Sequence, residues 1–174
     1  GAVNQLCLGW LSRVVHSLHN GEDHDLLELY CGAANHTCAL ARYYRKVVCV
    51  ELNKALCKAA EVNLALNGIT NVRVVAGPSE KFANGLLRRK GYLDMTVEPP
   101  SQYSFSTVLV DPQRGGLDEV TRELLRHMPR IIYISCNPQS LVRDLAVICQ
   151  NGADCTKPLF RIEAFAVFDH FAYS

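Results

Sequence analysis

A cysteine stands where a predicted strand gives way to a predicted helix, in the stretch IIYISCNPQSL from Ile131 to Leu141. The apolar residues before Cys136 predict a buried strand, while Asn137 suits a helix-capping position and Pro138 suits a first helical turn. Because a helix N-terminus carries partial positive charge, it favours the thiolate form of a neighbouring cysteine. The pattern predicts a nucleophilic thiol, and its alternative is an inert buried one.

A glycine and two acidic residues follow other predicted strands. Gly32, in ELYCGAANHT, allows a turn and a close backbone approach to a ligand. Glu51 ends the second strand, where a carboxylate can accept hydrogen bonds from ribose hydroxyls, and Asp111 opens DPQRGGLD after the fourth. The first loop lacks the GxGxxG pattern of a pyrophosphate cradle, which favours S-adenosylmethionine over NAD as the ligand.

The elements that must position these residues alternate along the chain. Continuous apolar runs separated by helical patterns predict a parallel, doubly wound α/β sheet with helices on both faces. Ligands of such sheets bind beyond the carboxyl ends of the strands, where the residues above lie. The predicted strands are Asp25–Gly32, Arg45–Asn53, Asn71–Gly77, Phe105–Pro112, Arg130–Cys136 and Phe160–Phe171, and the clearest helices are Leu6–His19, Lys54–Gly68 and Pro138–Cys149.

Composition sets limits on the kind of protein. The 174 residues suit one domain, residues 1–174, with 49% apolar and 20% charged residues and a net charge of +1. That balance argues against holding nucleic acid by bulk charge, and the lack of a long apolar run argues against a transmembrane helix. The eight cysteines include no CxxC pair, so we expect no metal site, reduced thiols and an intracellular, most simply cytoplasmic, location.

Several motifs in order resemble one family. LLELYCG with Asn35, then VCVE, DPQRGGLD, YISCNP and FDHFAYS are similar to the S-adenosylmethionine-dependent RNA uracil-5-methyltransferases, closest to the tRNA branch. The resemblance runs over nearly the whole chain, from about Asn4 to Ser174. It implies a class I methyltransferase fold, S-adenosylmethionine as cofactor and an RNA substrate, with tRNA favoured over rRNA.

The resemblance also implies roles for individual residues. Tyr30 and Asn35 match cofactor-contacting positions of the first loop, Glu51 the ribose-binding acid, Asp111 the acid that faces cofactor and uracil, and Cys136 the nucleophile. In that reaction a thiolate adds to C6 of uracil so that C5 can accept a methyl group, and a general base then removes the C5 proton.

The chain departs from the family pattern in three places. Gln113 stands where a second proline is usual, and Ala33 and Ala34 stand where the first loop usually carries Gly or Asn. The family's catalytic Glu, last strand and N-terminal RNA-binding region would lie outside residues 1–174. We therefore expect a catalytic-domain fragment that is inactive alone and whose open sheet edge can pair with another copy.

Two other functions remain open from the sequence. The departures would also suit a non-catalytic RNA-binding or folding-assistance module that retains the fold. A nucleotide-dependent oxidoreductase is a more distant alternative because the glycine pattern is missing. Cytosine-5 methylation is disfavoured because the related enzymes usually carry another cysteine where this chain has DPQRGG.

Overall fold

The computed structural model describes residues 1–18, 24–88, 102–150 and 157–169. Within them, strands and helices alternate as predicted, and most elements are a few residues shorter than their sequence patterns. The strands are β1 (Asp25–Leu29), β2 (Lys46–Glu51), β3 (Val72–Ala76), β4 (Phe105–Val110) and β5 (Arg130–Tyr133). The helices are α1 (Ala2–Leu18), α2 (Asn35–Leu40), α3 (Lys54–Leu66), α4 (Ser79–Leu87), α5 (Glu119–Arg126) and α6 (Pro138–Ile148), with a 3₁₀ turn at Ala41–Tyr43.

The five strands form one sheet in the order β3-β2-β1-β4-β5, and every pairing is parallel. The order reverses between β1 and β4, so the chain leaves the sheet in opposite directions on either side of that point. Such a reversal opens a crevice beyond the carboxyl ends of the two strands. The predicted doubly wound sheet is therefore confirmed, and its crevice lies between the ends of β1 and β4.

Helices cover both faces of the sheet, as its continuous apolar strands require. On one face α4, α5 and α6 pack against a large cluster that includes Leu27, Val50 and Val108. On the other face α1 and α2 pack against Leu26 and Leu109, and α3 continues that layer. None of the helices in the described ranges is long and apolar enough to cross a membrane.

The predicted sixth strand, Phe160–Phe171, is wrong over residues 160–169, which form neither strand nor helix. Their alternating pattern is typical of a strand, but Ile162, Phe165 and Val167 are 78%, 72% and 80% exposed. A strand needs a neighbour to supply hydrogen-bond partners, and β5 has only β4 as its neighbour among the described residues. Residues 170–174, the loop portion 96–101 and Cys155 lie outside the described residues, and edge pairing between copies stays a prediction.

Candidate active site

The carboxyl ends of the parallel strands lie at one edge of the sheet, as the sequence predicts. Backbone hydrogen bonds join neighbouring ends: the Gly77 amide donates to the Glu51 carbonyl at 2.9 Å, and the Ile134 amide donates to the Val110 carbonyl at 2.9 Å. We call this edge the strand-end crevice and define it by the residues that follow or end the strands, namely Gly32, Glu51, Gly77, Asp111 and Cys136.

Gly32 and Glu51 are in direct contact. The Gly32 amide donates to one carboxylate oxygen of Glu51 at 3.0 Å, and the Asn53 amide donates to the other at 2.7 Å. Gly32 has φ +56°, and a Cβ built there would meet nothing within 4 Å. The loop therefore keeps open space beside the half-buried Glu51 carboxylate, whose orientation the two amides fix.

Tyr30 and Asn35 are both engaged with protein partners. The Tyr30 hydroxyl donates to Asp118 at 3.0 Å at the start of α5, and burial together with that carboxylate raises the pKa of Tyr30 to about 12. The side-chain Nδ2 of Asn35 donates to the side-chain Oδ1 of Asn4 on α1 at 3.1 Å. These contacts tie the first loop to α5 on one side and to α1 on the other. Cofactor contact by either residue stays a prediction.

Asp111 lies beside a histidine that the sequence did not identify as a functional residue. His36 Nδ1 is 4.0 Å from Asp111 Oδ2 and 3.7 Å from Oε1 of Glu28, a fully buried residue of β1. Burial is the largest influence on Asp111, and despite the opposing effect of His36 it raises the pKa of that carboxyl. The crevice acid thus adjoins a second carboxylate, with an imidazole between them.

Cys136 is exposed and stands immediately before α6. The Asn137 side chain caps the helix by accepting from the Gln139 amide at 3.1 Å, and Pro138 occupies the first helical turn. The Ser135 hydroxyl donates to the Asn137 carbonyl at 2.9 Å and accepts from the Asn137 amide at 3.1 Å. The predicted cap is confirmed, whereas the strand before it ends at Tyr133 rather than Cys136.

The loop after Asp111 is fastened to α6 by a buried carboxylate, Asp144. Its Oδ2 accepts from the Leu117 amide and the Tyr133 hydroxyl, both at 2.7 Å, and its Oδ1 accepts from Arg143 at 2.8 Å. A Cβ on Gly116, whose φ is +78°, would clash with that Oδ2, so this position requires glycine. Hence the loop and the helix that follows Cys136 are held together.

A second contact joins the same loop to the turn at Cys136. The side-chain Nδ2 of Asn137 donates to the Arg114 carbonyl at 2.9 Å. Asn137 therefore both caps α6 and holds the loop of Gln113 and Arg114, whose side chains are exposed. The two segments that carry Asp111 and Cys136 are thus fixed relative to each other by hydrogen bonds through backbone and side chains.

The hydrogen-bonding groups and the open space of the crevice fit an adenosyl cofactor. Each Glu51 carboxylate oxygen accepts one amide and keeps a further lone pair, which suits the two hydroxyls of a ribose. The open space at Gly32 allows a ligand to approach that carboxylate. In the part of the chain that the structure describes, no group of three or more His, Cys, Asp or Glu side chains is arranged to hold a metal ion.

Comparison with known proteins identifies the family. The sequence model of the tRNA (Uracil-5-)-methyltransferase family matches residues 1–174. The chain belongs to this family. Its members use S-adenosylmethionine as methyl donor, and the class I methyltransferase fold expected from the sequence is confirmed.

Curated relatives carry the same activity in their names. The tRNA/tmRNA (uracil-C(5))-methyltransferase of a Nitratiruptor species is 42% identical over 172 residues, which are 99% of this chain and 44% of the relative. The enzyme of that name from an Azoarcus species is 40% identical over 174 residues, 100% of this chain and 44% of the relative. The chain thus spans less than half the length of these relatives.

Solved structures show the same fold. The Pyrococcus abyssi tRNA (uracil-54, C5)-methyltransferase in complex with S-adenosyl-L-homocysteine has a TM-score of 0.56 and 26% identity, covering 81% of this chain and 31% of its own. A SAM-dependent methyltransferase from Agrobacterium tumefaciens, at 18% identity and a TM-score of 0.50, covers 64% of this chain and 32% of its own. The second likeness concerns the fold alone.

The structure also shows three residues near the crevice that the sequence analysis did not identify, namely Glu28, His36 and Asp144. Glu28 carries a signal, because a carboxylate inside the apolar run LLELY of a buried strand needs a compensating partner. His36 and Asp144 carry little signal, since Asp111 is far from His36 in sequence, Leu117 is far from Asp144, and these pairs meet only in the folded sheet. The predicted site residues lie at one edge, but their roles as ligands and nucleophile stay predictions.

Proposed function

We propose that the whole protein transfers a methyl group from S-adenosylmethionine to C5 of a uridine in RNA, through a covalent adduct between Cys136 and C6. The observation that carries the proposal is the placement of Cys136. It is the exposed thiol at the crevice edge, it precedes a capped helix, and Asn137 holds it beside the loop of Asp111.

Cys136 acts as the nucleophile in this proposal. Its thiolate forms a bond to C6 of uracil, and the electron pair of the C5–C6 double bond moves towards C4 and its oxygen, which gives C5 carbanion character. Cys136 is exposed immediately before the N-terminus of α6, where an extruded base can reach its sulfur. When bound, S-adenosylmethionine supplies an electrophilic methyl group, which C5 takes up as the carbon–sulfonium bond breaks.

Release of the product restores the thiolate. A general base removes the C5 proton, the C5–C6 double bond re-forms, and the bond between C6 and Cys136 breaks with its electrons returning to sulfur. We assign that base to a part of the whole protein outside this chain, which spans 44% of its curated relatives. The inactivity of residues 1–174 alone stays a prediction.

Glu51, Gly32 and Asp111 hold the cofactor in this proposal. Glu51 accepts the ribose hydroxyls, Gly32 lets the backbone come close to the nucleoside, and Asp111 presents a carboxylate to the sulfonium. Tyr30 and Asn35, at the two ends of the same loop, also contact the cofactor in this proposal. The names of the relatives, which give tRNA and tmRNA as substrates, favour tRNA over rRNA. An intracellular, cytoplasmic location remains a prediction.

Methylation of transcribed, unmodified tRNA by the complete protein tests the proposal. We expect 5-methyluridine to form with the wild-type protein and with Cys31→Ser, and to be lost with Cys136→Ala. Formation of 5-methyluridine by Cys136→Ala would refute the nucleophile. A wild-type protein that binds tRNA and S-adenosylmethionine yet forms no 5-methyluridine would instead support the non-catalytic RNA-binding alternative.

A further inference from the structure

A buried carboxylate in the middle of the sheet is only partly satisfied. Glu28 is 0% exposed, and its Oε2 accepts the hydroxyl of Thr37. Its Oε1 is buried and accepts no hydrogen bond within the described residues. Because a buried charge without compensation is strongly unfavourable, this oxygen calls for a nearby positive charge or a proton.

His36 is the basic group that this carboxylate faces. Its Nδ1 lies 3.7 Å from Glu28 Oε1 and 4.0 Å from Asp111 Oδ2, and its side chain is 13% exposed against 38% for Asp111. Burial by itself would lower the pKa of His36, but the two carboxylates outweigh it and the pKa is raised. The imidazole therefore bridges a fully buried acid and the acid that opens onto the strand-end crevice.

The thiols around this cluster add no charge to it. Burial raises the pKa of Cys7 on α1, as does the nearby Asp111, and burial likewise raises the pKa of Cys38 on α2. Hydrogen bonding with Cys49 and burial raise the pKa of Cys31. The charge beneath the crevice near neutral pH is consequently decided by Glu28, His36 and Asp111.

We propose that His36 is a positioning residue whose proton, held between Glu28 and Asp111, sets how strongly the crevice prefers a sulfonium ligand over a neutral thioether. The inference rests on the proposed function, because it takes S-adenosylmethionine and S-adenosylhomocysteine as the two ligands. They differ by one methyl group and one positive charge, so their affinity ratio isolates the effect of charge at sulfur.

The direction of the pH effect follows from the charges. Protonation of His36 places one positive charge between Glu28 and Asp111, and loss of that proton makes the site more negative by one charge. A more negative site attracts the sulfonium more strongly and leaves the thioether unaffected. We expect the preference for S-adenosylmethionine to rise about fivefold as His36 loses its proton, a size suited to one charge in a partly solvated site.

Isothermal titration of residues 1–174 with both ligands between pH 5.5 and pH 8.0 tests the inference. We expect the ratio of the two dissociation constants to change about fivefold in the wild type and to stay flat in His36→Gln. The matched control is His127→Gln, at the exposed residue that follows α5, which should keep the wild-type slope. A flat wild-type ratio, or a slope retained by His36→Gln, would overturn the inference while leaving the proposed function intact.

A second measurement does not depend on the variant folding. The His36 ring of the wild-type protein, followed by NMR with ¹⁵N-labelled histidine, should titrate at a lower pH with S-adenosylmethionine bound than with S-adenosylhomocysteine bound. Thermodynamic linkage requires this if the cation and the proton compete. Equal midpoints in the two complexes would contradict the inference, and binding of neither ligand by the whole protein would refute both it and the proposed function.

Discussion

Cys31 and Cys136 each follow a strand of the same parallel sheet, at the same edge, yet their surroundings are opposite. Cys31 is buried, and its Sγ donates to the Gly32 carbonyl at 3.7 Å. Hydrogen bonding with Cys49 and burial raise the pKa of Cys31. Cys136 is exposed at the start of a capped helix. Position at a strand end is therefore not sufficient to make a thiol reactive.

The backbone after each cysteine produces the difference. Gly32 and Ala34 adopt left-handed φ values of 56° and 62°, so the chain turns sharply and the Cys31 amide donates to the Val50 carbonyl at 3.1 Å inside the sheet. After Cys136, Asn137 and Pro138 start α6 at once, which leaves the thiol outside the packed layer. The same edge thus holds one thiol inside the core and presents the other to solvent.

Alkylation should show the largest contrast between the two thiols. We expect iodoacetamide at neutral pH to modify Cys136 about 1,000-fold faster than Cys31, because Cys136 is exposed whereas Cys31 is buried and its pKa is raised. Peptide mass spectrometry of residues 1–174 over time measures the two rates. Cys31→Ser should leave the fast reaction unchanged, and comparable rates at the two thiols would show that the contrast in burial is wrong.

Removal of the Asp144 side chain should destabilise the segment around Cys136. Asp144→Ala leaves Arg122 and Arg143 without their shared carboxylate and removes the hydrogen bond from the Leu117 amide that joins the loop to α6. We expect a loss of about 3 kcal/mol in the free energy of unfolding, a size typical of breaking a buried ion pair. Denaturant unfolding measures it.

Asp25→Ala is the matched control for that variant. Asp25 is equally buried but pairs with Arg45 at the opposite edge of the sheet, at 2.6 Å. It should destabilise the fold similarly and leave the relative alkylation rate of Cys136 unchanged, whereas Asp144→Ala should change that rate. The same rate in both variants would show that Asp144 does not position the Cys136 turn.

The sequence predicts the scaffold better than the connections within the site. The apolar strands are predicted correctly because both faces of a parallel sheet are buried. The start of α6 is predicted correctly because Asn137 and Pro138 are adjacent residues that favour a helix N-terminus. The segment Phe160–Phe171 misleads because alternation records only side-chain periodicity and not the presence of a neighbouring strand. His36 meets Asp111, and Asp144 meets the Leu117 amide, only in the folded sheet, so no local pattern can identify these contacts.

Replacement of Glu51 should weaken the binding of the cofactor without affecting the Cys136 thiol. We expect Glu51→Gln to lower S-adenosylmethionine affinity about tenfold, since a neutral amide is a poorer acceptor for ribose hydroxyls than a carboxylate. Calorimetry of residues 1–174 measures it. Glu61→Gln, at an exposed position of α3, serves as the control, and an unchanged affinity in Glu51→Gln would show that Glu51 does not bind the cofactor.

Lowering the pH should produce the smallest of these effects. The lowered pKa of Asp144 decides whether the fold gains or loses stability in acid. Burial alone would raise the pKa of Asp144, but hydrogen bonds from Leu117, Tyr133 and the two arginines outweigh it, so the pKa is lowered. The stabilisation is present above the unfolded value of about 3.9 and is lost as pH falls through the lower folded value. The melting-temperature difference between wild type and Asp144→Asn should therefore shrink below about pH 4. A difference that grows in acid would contradict this sign.

The central claim is that the Cys136 sulfur attacks C6 of a uracil. The complete protein, mixed with tRNA containing 5-fluorouridine and S-adenosylmethionine, should form a covalent complex that survives denaturation, because fluorine at C5 prevents the final elimination. Mass spectrometry should locate the nucleotide on the peptide that carries Cys136, and Cys136→Ala should trap none. A covalent complex formed through another residue, or retained by Cys136→Ala, would contradict the account.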